Sequence, residues 1–264
     1  MSYEDIVVVR EGTAVEITIN RPEKLNAMRE QTAIEIMDAM SEAENDREVR
    51  AVIVQGGPKA FCTGIDTSEF TVNPDEAFEL YRRRKRSRKT TALFRFLGEF
   101  TKPVICAVEG YALGGGLELA LLGDLIVAGS NAQFGLPEAK LGIMPGGGGT
   151  QTLAAAVGKK LAKDLIWTGR RVKAEEAHRI GIATYLVPNG EALAKARELV
   201  AEIGKSAPLS IMMTKQAIDR GTDMALAQGM SLESDLSFVL YLTEDREEGV
   251  SAFAEKRAPA FKGH

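Results

Sequence analysis

Between Val104 and Thr150 a continuous apolar segment runs into a glycine triplet and then into a short apolar stretch that carries a glutamate. Val104–Val108 has no alternating polar positions, which suits a strand covered on both faces. The triplet Gly114–Gly116 follows, and Leu117–Leu122 has the length and composition of a buried helical turn or two. Strand, glycines and helix start in that order let main-chain N–H groups face a bound anion or a polarised carbonyl oxygen. Glu118 sits inside this segment among leucines and alanine, where an exposed face is hard to find. A carboxylate in such company needs a reason. A second glutamate, Glu138, closes Phe134-Gly-Leu-Pro-Glu138, and four more glycines, Gly146–Gly149, follow. Two carboxyl groups brought together can share a water and move its protons. The segment is read as an active site.

The longest apolar stretch, Pro103–Ala128, is interrupted by Glu109, Glu118 and Asp124, so it reads as buried core and not as a membrane span. At 264 residues, one large domain or a domain with a helical appendage is expected. A formal net charge of −4 gives no support to nucleic-acid binding. Cys62 and Cys106 stand in unrelated contexts without metal-type spacing, which implies a reducing compartment and no disulfide framework. The start, Met1-Ser-Tyr-Glu-Asp, has neither a basic region nor an apolar core, and a cytoplasmic location is expected. The two histidines, His178 and His264, have no metal-ligand partner or triad partner in view.

Ile6–Arg10 and Ala14–Ile19 flank Glu11-Gly12 and predict a hairpin. Apolar residues at helical spacing predict a helix over Arg29–Asn45, and Ala51–Gln55 predicts a buried strand. Gly56–Asp66 reads as a glycine-rich loop, and a long helix is predicted over Ala77–Phe100. Strands at Val104–Val108, Leu125–Ala128 and Thr184–Val187 alternate with helices at Leu117–Leu122, Thr150–Val157, Leu161–Thr168 and Ala174–Arg179, the last stopping at Gly181. Everything past Gly190 reads as helix: Glu191–Ile203, Pro208–Arg220, Asp223–Leu240 and Glu244–Lys256. The expected fold class is α/β, with a core over residues 1–190 and a helical subdomain over 191–264.

Phe61-Cys-Thr-Gly-Ile-Asp66 and Gly110-Tyr-Ala-Leu-Gly-Gly-Gly-Leu-Glu118 resemble the crotonase (enoyl-CoA hydratase/isomerase) family. The resemblance continues through Pro137-Glu138, Pro145-Gly-Gly-Gly-Gly-Thr-Gln151, Glu175-Glu-Ala to Gly181-Ile, Glu248-Gly249 and Ala252-Phe-Ala-Glu-Lys-Arg257, then Pro259 and Phe261. It covers nearly the whole chain, in order. It implies a crotonase-like spiral of repeated ββα turns whose C-terminal helical subdomain packs between subunits of a homotrimer, often paired into a hexamer. The order of predicted elements agrees but does not by itself separate a spiral from a doubly wound sheet.

The resemblance also implies the chemistry: an acyl-CoA thioester substrate, no cofactor beyond the coenzyme A it carries, and syn addition of water to a 2-enoyl-CoA. Negative charge then builds on the thioester oxygen, and the backbone N–H groups of Ile65 and Gly115 match the family's donors to it. Glu118 and Glu138 match its two catalytic glutamates, Glu118 expected to activate the water and Glu138 to deliver the proton at C2. The N–H of Gly146 is a further candidate to hold the water. Ala60, Cys62, Thr63, Gly64 and Asp66 match the loop around the adenine, and Phe253 and Lys256 match residues that reach a neighbouring subunit's CoA. Lys256 reads equally well as a solvated lysine.

Phe70, Phe78, Leu141 and Ile143 are candidates for an acyl pocket or for ordinary packing, and Trp167, Leu165 and Ile166 read as core. The basic run Arg82–Lys89 reads as a solvated or intersubunit helix face. Two departures from the family pattern stand out: Thr152 where many relatives place arginine, and Cys62 and Ile65 where alanines are usual. The nearest alternatives on the same scaffold are double-bond isomerisation and dehydration of a specialised 3-hydroxyacyl-CoA, and both glutamates together favour hydration over isomerisation. A non-catalytic acyl-CoA-binding subunit would gain nothing from a buried acid.

Overall fold

The computed structural model describes residues 3–70 and 89–264. Strands β1 (Ile6–Glu11) and β2 (Ala14–Ile19) form the predicted antiparallel hairpin. From β2 onward one sheet grows by parallel addition of β3 (Ala51–Gln55), β5 (Val104–Val108), β7 (Leu125–Gly129) and β10 (Tyr185–Val187), in the order β1-β2-β3-β5-β7-β10. A second sheet, β4-β6-β8-β9, is made of β4 (Ala60–Cys62), β6 (Tyr111–Leu113), β8 (Gln133–Gly135) and β9 (Val172–Lys173). From β3 to β8 the chain lays one strand in the long sheet, then one in the short sheet, and returns to begin the next turn. Strand order never reverses, so there is no topological switch point of the kind a doubly wound sheet has. The architecture is the expected spiral.

The apolar strands are explained by what lies on each side of them. Val52, Val54, Val104, Cys106 and Val108 point into a core shared with the second sheet and helices α1 (Glu30–Asn45) and α2 (Lys89–Glu99). Their sequence neighbours Ala51, Ile53, Ile105 and Ala107 point the other way, against Ala192, Ala196 and Val200. Period-two alternation between two apolar environments leaves no polar face. Burying each Val or Ile in this way contributes about 1.5–3 kcal/mol before chain entropy is set against it.

The glycine-rich segment after β3 contains β4, which was expected to be loop. The whole short sheet escaped the sequence reading, since three-residue strands are too brief to show a period. Helices α3 (Gly115–Leu121), α4 (Gly149–Val157), α5 (Lys159–Thr168) and α6 (Ala174–Ile180) fall where predicted, with Gly181 capping α6. Trp167 is a correction: it is 72% exposed, with the Lys163 ammonium 5.8 Å from its ring centroid. Leu165, two positions earlier, is buried, and two residues turn a helix by about 200°, so both cannot face the core. His178 Nδ1 lies 3.2 Å from the Ala183 carbonyl, a local tie across the α6 cap.

The described part of the long predicted helix is α2. Phe78 and the basic run as far as Arg88 lie outside the described residues, and Phe70 only ends the 3-10 turn Thr67–Phe70. The remainder is helical as predicted: α7 (Ala192–Ile203), α8 (Pro208–Gly221), α9 (Leu226–Leu240) and α10 (Glu244–Glu255). Helix α7 belongs to the core, covering the long sheet. Helices α8 and α9 bury no residue within the chain. No described helix is long and apolar enough to cross a membrane.

Candidate active site

Helix α3 begins where two strands of the short sheet, β4 and β6, run side by side. Its start is crowded: a Cβ on Gly116 would lie 2.1 Å from the Cys62 carbonyl oxygen, so only glycine lets the helix approach β4 this closely. The approach brings the loop after β4 against the first turn. A Cβ on Gly64 would be 3.3 Å from the Gly115 nitrogen, and one on Gly115 would be 3.6 Å from the Ile65 nitrogen. Gly115 opens the helix, where no intrahelical acceptor exists for its N–H. Ile65 is flanked by groups already paired: Gly64 O accepts from Met28 N–H and Asp66 N–H donates to Met28 O, each at 2.7 Å. That parallel bridge turns the Ile65 N–H to the opposite side. The N–H groups of Ile65 and Gly115 thus adjoin, and neither donates to any group among the described residues.

Glu118 projects from the first turn of α3 and is 4% exposed. Its Oε1 accepts hydrogen bonds from Gly147 N–H at 2.7 Å and Gly149 N–H at 2.8 Å. Burial pushes its pKa above the ordinary glutamate value, and the two N–H groups oppose the shift because they favour the carboxylate. Glu138 opens the 3-10 turn Glu138–Leu141 after β8 and is also buried. One of its oxygens is near the α3 start, since a Cβ on Gly114 would sit 3.2 Å from Glu138 Oε1. Its Oε2 is buried with no hydrogen-bond partner among the described residues. Burial lifts its pKa to about 7, its own N–H opposes the rise, and the charge of Glu118 adds to it.

Ile65, Gly115, Glu118, Glu138 and Gly146 all line one cavity of about 250 Å³, together with Thr63 and Gly64. Leu141 and Ile143 lie along it, joined by Met144, Thr90, Thr91 and Phe94, none of which the sequence singled out. Phe94 packs where a side chain on Gly147 would be, its ring 2.5 Å from that Cβ position. The donors that hold Glu118 are Gly147 and Gly149. From sequence, only Gly146 in that run is assigned a role, and that to the water; the fold selects which N–H groups point at Glu118. Gly146 N–H makes no bond among the described residues.

Ala60, Cys62 and Asp66 do not line the cavity. Ala60 and Cys62 are buried in β4, and the Asp66 carboxylate is turned to Arg21 and to the Ser68 N–H and hydroxyl. Phe253 and Lys256 also lie away from it, Phe253 almost fully exposed on α10 and Lys256 in a left-handed cap at its end. Thr152 donates its hydroxyl back to the Gly148 carbonyl at 3.2 Å and so serves the start of α4. No cluster of three or more His, Cys, Asp or Glu side chains that could hold a metal occurs among the described residues. The cavity therefore offers two unpaired main-chain donors beside two carboxyl groups of unlike surroundings. Such a set can polarise a carbonyl and transfer protons next to it.

A short-chain-enoyl-CoA hydratase of Clostridium acetobutylicum is 41% identical over 259 residues, covering 97% of each chain. A 2,3-dehydroadipyl-CoA hydratase of Escherichia coli is 38% identical over 259 residues, covering 98% of this chain and 99% of its own. The crystal structure of an enoyl-CoA hydratase from Bacillus anthracis superposes with a TM-score of 0.91 at 34% identity, over 99% of this chain and all of that one. A family model described as enoyl-CoA hydratase/isomerase matches residues 10–264, and the chain belongs to that family.

Proposed function

We propose that this chain is an enoyl-CoA hydratase that adds water reversibly and syn across the 2,3 double bond of a 2-enoyl-CoA. The observation that carries the reading is the unlike pair of buried glutamates beside the unpaired N–H groups of Ile65 and Gly115. As water attacks C3, electron density moves through C2 to the thioester oxygen, and two N–H donors aimed there lower the barrier. Losing one such donor costs about 10²–10³ in kcat. Glu118, whose Oε1 is held by two N–H groups, is suited to remain ionised and to take the water's proton. Glu138, with an unpartnered oxygen and a pKa near 7, is suited to hold a proton and give it to C2. The net result is water added, with one proton passed from Glu138 to Glu118; exchange with solvent resets the pair. Gly146 lines the cavity, and its N–H would hold the water.

The segment from Ala60 to Asp66, strand β4 and the loop after it, would receive the adenine through its main chain, since the Asp66 carboxylate is already engaged. Coenzyme A would enter as part of the substrate, with no separate cofactor. Phe253 and Lys256, exposed and distant from the cavity of their own chain, would reach the CoA of a neighbouring subunit. A trimer, or a hexamer of paired trimers, would cover the apolar residues that α8 and α9 leave exposed, including Ile218, Leu226 and Phe238. Residues 191–264 would then act as the assembly subdomain, in a cytoplasmic enzyme. The presence of both carboxyl groups supports hydration over isomerisation. The similar hydratases are named for acyl groups as different as a short chain and dehydroadipyl, so those names leave the acyl group open.

The test is direct. Crotonyl-CoA added to the protein should lose its enoyl-thioester ultraviolet absorbance. Glu118→Gln and Glu138→Gln should each lower kcat by about 10²–10⁴ while still binding a saturated acyl-CoA. Wild-type turnover in either variant removes that residue from the mechanism, and inert wild-type protein across enoyl-CoAs of several lengths removes the function.

A further inference from the structure

A turn far from Glu118 and Glu138 in sequence holds the Ile65 loop from behind. Residues 21–28 fold back on themselves with Leu25 and Asn26 both in the left-handed region, at φ 49° and 57°. Non-glycine residues stay there only when neighbours hold them. The neighbours here belong to the loop after β3. Asn26 Nδ2 donates to Ala60 O at 2.8 Å, Thr63 Oγ1 donates to Leu25 O at 3.1 Å, and Met28 pairs with both flanks of Ile65. Turn and loop therefore behave as one clasp, and the Ile65 N–H is its free point.

Arg21 closes that clasp. Its guanidinium donates to the Ala27 carbonyl on the turn and, at 3.2 Å, to Asp66 Oδ2 on the loop, directly after Ile65. Its Nε also lies 3.6 Å from Asp5 Oδ1, and Asp5 is gripped in turn by Arg29 and Thr32. The Arg21 and Asp66 side chains are each 11% exposed, so this is not a loose surface pair. The second Asp66 oxygen accepts from the Ser68 N–H and hydroxyl, and these bonds with the Arg21 charge hold the carboxyl below its ordinary pKa. The proposed chemistry uses none of these side chains, yet they converge on the residue whose N–H it needs.

We propose that Arg21, acting through Asp66 and the paired main chains of Met28 and Ile65, is a positioning residue that aims the Ile65 N–H at the thioester oxygen. This rests on the reading of Ile65 as an oxyanion donor. A donor displaced by a fraction of an ångström loses much of its effect on the transition state while ground-state binding of CoA changes little. Lysine cannot replace the residue, because one ammonium point does not reach three acceptors that a planar fork spans.

The measurement is the infrared stretch of a ¹³C-labelled thioester carbonyl in butyryl-CoA, which binds and cannot be hydrated. In the wild-type protein the band should fall below its solution frequency. Arg21→Met and Asp66→Asn, each checked for native circular dichroism, should both return about half of that shift, as loss of one of two donors predicts. With crotonyl-CoA they should lower kcat about 10–100-fold. The double variant should be no worse than the single ones, since both act through one link. Arg21→Lys should behave like Arg21→Met. A folded Arg21→Met or Asp66→Asn protein with the wild-type carbonyl frequency overturns the proposal, even if its melting temperature is lower, because the role is then structural only. Absence of any shift in the wild-type protein overturns the underlying assignment of Ile65 instead, and is recognised before any variant is made.

Discussion

Glu138 and Glu118 share a cavity and an apolar neighbourhood, yet the main chain treats them differently. Two N–H groups are committed to Glu118, whereas one Glu138 oxygen is buried without a partner. An acid held this way costs stability once it ionises. Its pKa rises from 4.5 to about 7 on folding, so between those values the native chain keeps a proton that the unfolded chain has lost. Stability therefore falls as pH rises through that window, and the penalty is complete above about pH 7. Glu138→Gln removes the charge and should raise the melting temperature at pH 8 by ~3–6 °C, with little change at pH 5. Calorimetry at the two pH values checks this. Equal shifts at both would mean that the carboxyl is not strained by burial.

Helix α3 sets the geometry of the site, and its approach to β4 is the tightest constraint on it. The hypothetical Cβ of Gly116 meets main-chain atoms of Cys62, which cannot swing aside as a flexible side chain would. Gly116→Ala should therefore push the helix start away from Ile65. The expected cost is about 3 kcal/mol or more, read as a large drop in melting temperature or loss of soluble protein. A soluble variant of wild-type stability would show that the helix start yields easily. Gly147 is different, since its hypothetical Cβ meets the Phe94 ring, and that contact joins the donor loop of Glu118 to the cavity wall.

At the scale of the molecule, the spiral has a closed core, while α8 and α9 contribute no buried residue to it. Helices of 14 and 15 residues with no fully buried residue are not stable on propensity alone. Their apolar residues, among them Leu226 and Met230, line an open groove. The proposed trimer or hexamer supplies the missing cover. Sedimentation velocity should show such an assembly, and Leu226→Asp combined with Met230→Asp should shift it to smaller species with lower activity. A monomeric wild-type protein that turns over enoyl-CoA would end the assembly proposal and the role given to Phe253 and Lys256.

The sequence alone determined the hairpin, the apolar strands β3, β5 and β7, the short β10, and every described α-helix. It also marked Glu118, because a carboxylate among leucines is anomalous wherever the chain places it. Site residues carried over from family resemblance, Ile65, Gly115 and Glu138 among them, meet in one cavity. Other features depended on approach through space. The short sheet exists because successive turns stack, and its strands of two or three residues have no pattern of their own. Gly147 and Gly149 hold Glu118 because of where the loop lies, and nothing in a run of four glycines says which N–H turns inward. Trp167 faces outward because helical rotation gave the core to Leu165. Arg21 meets Asp66 across 45 positions of chain. Periodicity and composition are local quantities, whereas pairing between distant groups is settled only when the turns of the spiral come to rest on one another.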